Sequence, residues 1–414
     1  MPRELVRVAL RTTDDAIDGM KESGYQVKNP HLSDPTRYTR VVKSFQLPIA
    51  SVDVSGNEER YVLDAVRSSW ISSSGAYINR FESEFARLVA GQRVIAVTNG
   101  TVALHLALLA LPIAPGDEII VPSFAYIAAA NACRYVSAEP VFVDVDPKTW
   151  CLSAEGVTRA ITPKTKAIIV VHNYGHPADL ADILAVAKAR GLWVVEDAAE
   201  AFGATYRGRQ VGNLADIGTF SFFGNKIITS GEGGAVVLPD DALERKIRLL
   251  RDHGMDPERR YHFPVTGYNY RATNVTCAVL CAQLERSEEI LARRREIFAA
   301  YREHLSGVPG ISFQPSQQWA SPAPWLFNVV VDRAAYRHSA QELASLLAED
   351  GIETRPLFAP LHLQPPFVSS ARSRKERFPI TEALSESGLS LPTFNLLPLE
   401  SIVKVADRIR HHHA

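Results

Sequence analysis

From about Phe45 onward, apolar and polar positions along the chain fall into short regular blocks. VIAV (94–97) is a brief apolar run, and TVALHLALLAL (101–111) has helical apolar spacing. EIIVP (118–122) predicts a strand and AYIAAANACRYV (125–136) a helix. PVFVDV (140–145), AIIVVH (167–172) and WVVEDA (193–198) predict strands, with LADILAVAKARG (180–191) as an intervening helix. IGTFSFF (217–223) and GAVVLP (234–239) continue the strand set. Short β-branched runs alternating with helices imply βαβ units, hence an α/β fold whose mostly parallel sheet is covered on both faces.

NVTCAVLCAQLERSEEILARRREIFAAYREHL (about 273–305) predicts one long helical stretch that links a large domain to a smaller one. A strand WLFNVVV (325–331), a helix SAQELASLLAEDG (339–351), a Pro-rich stretch (356–366) and a helix from about 399 follow, which reads as a small α+β domain. Before Phe45 the chain is polar and weakly patterned, and NPHLSDPTRYTR reads as an irregular arm. The expected division is an N-terminal extension over 1–43, a large domain over 44–285 and a small C-terminal domain over 286–414.

Composition narrows the function. The 414 residues carry 45 Lys plus Arg against 46 Asp plus Glu, a net charge of −1. A general nucleic-acid binder needs a basic excess, so that class is disfavoured. Four scattered cysteines make no disulfide framework, and a reducing cytoplasm is the expected compartment. Cys277 and Cys281 stand one helical turn apart without a second ligand pair, so they read as buried apolar side chains and not as a metal site. No run of 18 apolar residues predicts a membrane span. His411, His412 and His413 read as a mobile tail or a tag remnant.

Candidate chemistry gathers where strands end. Ligands of parallel α/β sheets bind beyond the carboxyl ends of the strands. Asn99-Gly100-Thr101 follows VIAV and opens a helix. Such a start is either a simple cap or a phosphate site built from backbone N–H groups and the Thr hydroxyl. Asp197 ends WVVED and is either a cap for AAEAFGA or the partner of a protonated ring nitrogen. Lys226 lies between Phe222, Phe223, Ile227 and Ile228, which predicts a partly desolvated amine with a lowered pKa and nucleophilic character. Gly231, Gly233 and Gly234 lack dinucleotide spacing and lead into a strand, so they make no nucleotide loop. A phosphate cradle, a carboxylate and a lysine in a dry pocket are what pyridoxal phosphate needs. On spacing alone, other α/β enzymes fit as well.

The segments WISSSGAYINRFESEFA, VTNGTVALHLAL, GDEIIVPSFAYIAAANA, PVFVDVD, VVHNYGHPADL, VVEDAAEAFGATYRG, GTFSFFGNKIITSGEGGAVV, RDHGM, GYNYRATNV and PLHLQPPF carry a resemblance from about Phe45 to about Arg410. The chain resembles the DegT/DnrJ/EryC1/StrS sugar aminotransferases, fold-type I pyridoxal-phosphate enzymes. Within that family SFFGNK, EDAAEA and GYNYR look most like the 4-aminotransferases that convert GDP-4-keto-6-deoxymannose to GDP-perosamine.

The resemblance implies a role for each matching residue. Lys226 matches the Schiff-base lysine and Asp197 the residue that pairs with the pyridine nitrogen. Gly100, Thr101 and Ser221 match phosphate contacts, and Asn269 matches an asparagine that reaches the phosphate from a second subunit. Tyr126 matches an aromatic stacked on the ring, with plain core packing as its blander reading. Glu200 stands beside the cofactor. Ser73, Tyr268, Arg271 and His362 fall in segments that line the sugar pocket. The resemblance further implies a homodimer or larger homo-oligomer with shared sites, L-glutamate as donor, pyridoxamine 5'-phosphate as an intermediate form, and no metal. Asn173 and Ser74 depart from the family pattern and bear on donor or sugar recognition. Other readings are an aminotransferase for a cyclitol ketone in antibiotic assembly, and a non-catalytic pyridoxal-phosphate-binding regulator. A 3-dehydratase of the family would carry His where Lys226 stands.

Overall fold

The computed structural model describes residues 45–90, 93–239, 241–374 and 376–413. The arm expected over 1–43 lies outside the described residues.

Seven strands form the main sheet among the described residues. They are β1 (Arg93–Val97), β2 (Glu118–Pro122), β3 (Glu139–Val143), β4 (Thr165–Val171), β5 (Trp193–Asp197), β6 (Ile217–Ser221) and β7 (Gly234–Leu238). Their order is β1-β7-β6-β5-β4-β2-β3. The neighbours from β6 through β3 pair parallel, and β7 pairs antiparallel with β1 and β6. All strands but β7 therefore point the same way, as the run of apolar segments predicts.

Period-two alternation sorts each strand onto two cores. Ile168 and Val170 of β4 pack with Phe81, Phe85 and Phe220 on one face. Ala167, Ile169 and Val171 pack with Leu104, Leu106 and Phe142 on the other. Helix α1 (Gly100–Ala110) is apolar nearly all round and is buried accordingly. The helices Glu58–Arg67 and Ala76–Leu88, unassigned from the sequence pattern, precede β1.

The long stretch at 273–305 is two helices, α2 (Asn274–Glu285) and α3 (Ser287–Leu305). Arg286 breaks it at φ −107° and ψ 9°. Its guanidinium is drawn off the helix axis to Asp53 at 3.2 Å and Glu289 at 2.7 Å. Residues of α3 then build a separate core with Phe327, Val329, Leu343, Leu389 and Val405. That core covers a four-stranded antiparallel sheet of Ile311–Phe313, Phe327–Val331, Gly388–Leu391 and Arg355–Pro356. Ser339 and Glu342 form a reciprocal capping box for the helix Ala340–Glu349.

The three terminal histidines are not a loose tail. Helix Leu399–His413 runs through them, and His412 Nε2 lies 2.7 Å from Asp350, which also binds Arg408. All four cysteines are buried and free, with burial expected for Cys277 and Cys281.

Candidate active site

The forward-pointing strands all end at one edge, and β7 begins there. Val97 of β1 and Ser221 of β6 both stand opposite Gly234. Asp197 of β5 stands opposite Val171 of β4 and Thr219 of β6. Topology thus gathers the candidate residues of four strand ends.

Asn99 caps α1, its side chain accepting from Val102 N–H at 3.0 Å. The cap reading is therefore correct for Asn99. The next two residues open the helix with N–H groups that have no carbonyl one turn back. Gly100 cannot be larger, because a Cβ there would stand 2.7 Å from Ser221 Cβ. The Ser221 hydroxyl thereby lies against the helix start, a small cradle of backbone and hydroxyl donors suited to an anion.

Lys226 projects from a tight turn in which its N–H donates to Phe223 O at 2.8 Å. Thr229 and Ser230 both donate to Phe222 O and close the loop behind it. Phe222, Ile227 and Ile228 are buried as expected, whereas Phe223 is exposed. Burial lowers the lysine's pKa, and the carboxylates of Glu200 and Asp197 oppose that shift.

Asp197 is 8% exposed, and Ala199 N–H donates to its Oδ1 at 3.1 Å. Residues 198–204 form turns and not the helix its cap reading assumed. Burial raises its carboxyl, against that N–H bond and the charge of Lys226. Glu200 accepts Tyr174 N–H at 2.7 Å. Burial pushes its carboxyl up to about 7, with Lys226 and the N–H bond pulling the other way and Asp197 adding to the rise. A lysine and two acids that all titrate away from their ordinary values mark a chemical site and not a solvated surface.

Tyr126 is 63% exposed, its ring 6.3 Å from that of Phe358. The exposed ring is free to lie on a ligand, and the core-packing alternative fails. His362 is buried instead of lining an open pocket. Its Nδ1 lies 2.7 Å from Ser123 Oγ, its Nε2 lies 3.1 Å from Glu382, and its ring stacks on Phe378 at 4.0 Å. Both ring nitrogens are engaged in that position.

The remaining candidates form a second group. Arg271 donates to Asp252 at 2.9 Å and to the Ser73 carbonyl, and lies 3.4 Å from Ser74 Oγ. Tyr268 stacks on Tyr270 at 4.9 Å and meets the edge of His105. Asn269 pairs by its backbone with Asp252, and its side chain is exposed.

The sequence marks Asn173 only as a departure from the family pattern, and does not single out His172 or Trp325. Asn173 is fully buried, and its Nδ2 donates to the carbonyls of Phe124 at 2.6 Å and Trp150 at 2.7 Å. The departure at 173 therefore anchors the segment leading to Tyr126. His172 sits beneath Asp197 and meets Glu196 at 3.1 Å. Trp325 faces Lys226, with Nζ 4.0 Å from the ring centre.

The description "DegT/DnrJ/EryC1/StrS aminotransferase family" matches residues 53–410. Among curated relatives, the GDP-perosamine synthase of Caulobacter vibrioides is 46% identical over 84% of this chain and 93% of its own length. The GDP-perosamine synthase of Escherichia coli O157:H7 is 42% identical over 89% of this chain and 99% of its own. Among solved structures, the aminotransferase TlmJ of Streptoalloteichus hindustanus superposes with a TM-score of 0.81 at 30% identity, covering 89% of this chain and 98% of its own.

Proposed function

The chain belongs to the DegT/DnrJ/EryC1/StrS aminotransferase family, and on that premise we propose that it moves an amino group from glutamate to GDP-4-keto-6-deoxymannose. The enzyme is a transaminase and its cofactor is pyridoxal 5'-phosphate. The fold is that of the fold-type I enzymes. The single observation that carries the substrate is near end-to-end identity of 42–46% with two GDP-perosamine synthases.

The residues present fit the cofactor. The cradle that a Gly100 Cβ would fill suits a phosphate, and Asp197 and Lys226 supply the acid and the amine. Gly100, Thr101 and Ser221 would hold the phosphate, Asp197 would pair with the ring nitrogen, and the exposed Tyr126 ring would lie against the cofactor. When bound, the cofactor supplies an electron sink and carries the amino group between the two half-reactions. Lys226 does the proton work. Its lowered pKa leaves more free amine at neutral pH, so it takes the donor's Cα proton and returns one to the sugar carbon. Glu200, whose carboxyl burial pushes up to about 7, lies close enough to Lys226 for its charge to bear on the amine.

The active unit is a homodimer. Arg271 is tied to Asp252 and to the Ser73 carbonyl, and the exposed Asn269 pairs by its backbone with the same Asp252, which leaves the Asn269 side chain available to complete a neighbour's site. Trp70, Tyr261 and Phe263 are 57%, 72% and 51% exposed. No described helix is long and apolar enough to cross a membrane, and we place the enzyme in the cytoplasm with its soluble substrates.

A substrate panel tests the reading. Enzyme in the amino-loaded form is mixed with GDP-, dTDP- and UDP-linked 4-keto-6-deoxy sugars and with a cyclitol ketone, and return of the aldehyde-form absorbance is followed. The GDP sugar is expected to react fastest. Reaction with the cyclitol alone would overturn the proposal.

A further inference from the structure

Trp325 reaches Lys226 from a distant part of the chain and is fixed on several sides. Its Nε1–H donates to the carbonyl of Asn225, the residue before Lys226, at 2.9 Å. Its ring stacks on Tyr174 with centroids 5.7 Å apart and planes at 24°. Tyr174 stacks in turn on Phe358 at 4.7 Å. The Trp325 carbonyl accepts from Arg294 Nη1 at 2.9 Å, and Arg294 is itself buried and bound to Asn395 at 2.8 Å. Trp325 is 3% exposed. A rigid, dry indole with Nζ 4.0 Å from its ring centre is an arrangement for holding a cation.

Two carboxylates also face the amine, Asp197 and Glu200. A third carboxylate in place of the indole would hold the ammonium more tightly and compete for its proton. A π face attracts the charge and accepts no proton. It therefore steadies the charged amine more weakly than a carboxylate would and offers no competing site for its proton.

We propose that Trp325 is a positioning residue whose indole face holds the Lys226 ammonium in place whenever that amine is not bonded to the cofactor. The Nε1–H bond to Asn225 fixes the turn from which Lys226 projects, so one side chain orders both ends of the lysine. The proposal rests on the role given to Lys226 above.

The test reads the amine directly in cofactor-free protein. Competitive labelling with trace acetic anhydride across a pH series, followed by mass spectrometry of the Lys226 peptide, gives the midpoint of its titration. Wild type, Trp325→Phe and Trp325→Leu are compared with wild type grown on tetrafluorotryptophan. Fluorination weakens the ring's attraction for cations and keeps both its shape and its Nε1–H. Trp325→Leu is expected to lower the midpoint by roughly 0.4 to 1.5 pH units, and Trp325→Phe by less. The fluorinated protein should move in the same direction as Trp325→Leu. The chain has five tryptophans, so Trp325→Phe grown on the fluorinated residue is the control and should show no added shift.

A midpoint unchanged by fluorination would overturn the proposal, even if Trp325→Leu moved it, because packing alone would then explain the leucine variant. If Trp325→Leu fails to fold, the fluorinated protein still decides. Borohydride trapping of pyridoxal phosphate on a different lysine would instead sink the role given to Lys226, and would leave the midpoint result standing.

Discussion

Replacing Glu200 by Gln removes a buried charge and keeps an acceptor for Tyr174 N–H. Glu200 is 5% exposed, and burial carries its carboxyl from 4.5 to about 7 despite the nearby Lys226. The folded protein therefore holds a proton that the unfolded chain has lost between about pH 4.5 and 7. Stability from this group falls as pH rises through that window, since the folded state binds more protons there. Below it both states are protonated and the group contributes nothing. Above it both are ionised and the whole cost remains. A rise from 4.5 to about 7 corresponds to roughly 3 kcal/mol at ~1.4 kcal/mol per pH unit. Lys226 loses one of its two carboxylates in the variant, which takes back part of the gain. The net expectation is about 1 to 3 kcal/mol at pH 8. Thermal unfolding of the cofactor-free protein from pH 5 to 8.5 checks this. Glu200→Gln should melt above wild type at pH 8, with the gap narrowing toward pH 5. A gap that is constant with pH, or a variant less stable at pH 8, would refute the reasoning.

Three further outcomes are expected. Gly100→Ala puts a methyl 2.7 Å from Ser221 Cβ, and equilibrium dialysis should show pyridoxal phosphate bound about 5- to 150-fold more weakly, for a strain of ~1 to 3 kcal/mol. Asp197→Asn should retain cofactor in the absorbance spectrum yet lose turnover by on the order of 10²-fold or more, because a neutral amide cannot keep the ring nitrogen protonated. Arg286→Ala strips a partner from Asp53, which is 7% exposed, and chemical denaturation should register a loss of about 2 kcal/mol with kinetic constants unchanged.

Much of the sheet is legible because β2, β4 and β5 are buried on both faces, and that burial writes continuous apolar runs into the chain. The strand Gly388–Leu391 is not legible, since GLSL is four residues long and is defined by pairing with Phe327–Val331. The break at Arg286 is equally silent, and the Asp53 that pairs with its guanidinium lies far away in sequence. The same division holds in the site. Lys226 and Asp197 announce themselves through neighbours in the chain, whereas Trp325 matters only because folding sets it on Asn225 and Lys226. His362 shows a contact that the chain order hides: its segment resembles one that lines the sugar pocket, and folding sets its ring against Ser123 and Phe378. The histidine-rich end reads as a tail by composition, yet Asp350 gives His412 a partner.

Transfer of the amino nitrogen itself is the most direct test of the central claim. Wild type and Lys226→Ala are each incubated with pyridoxal phosphate, [15N]glutamate and GDP-4-keto-6-deoxymannose, and the nucleotide sugar is analysed by mass spectrometry. The account predicts a 15N-labelled GDP-amino sugar, formed one for one with 2-oxoglutarate, by wild type and not by Lys226→Ala. An unlabelled GDP sugar beside active wild-type enzyme, or labelled product from Lys226→Ala at the wild-type rate, would contradict it.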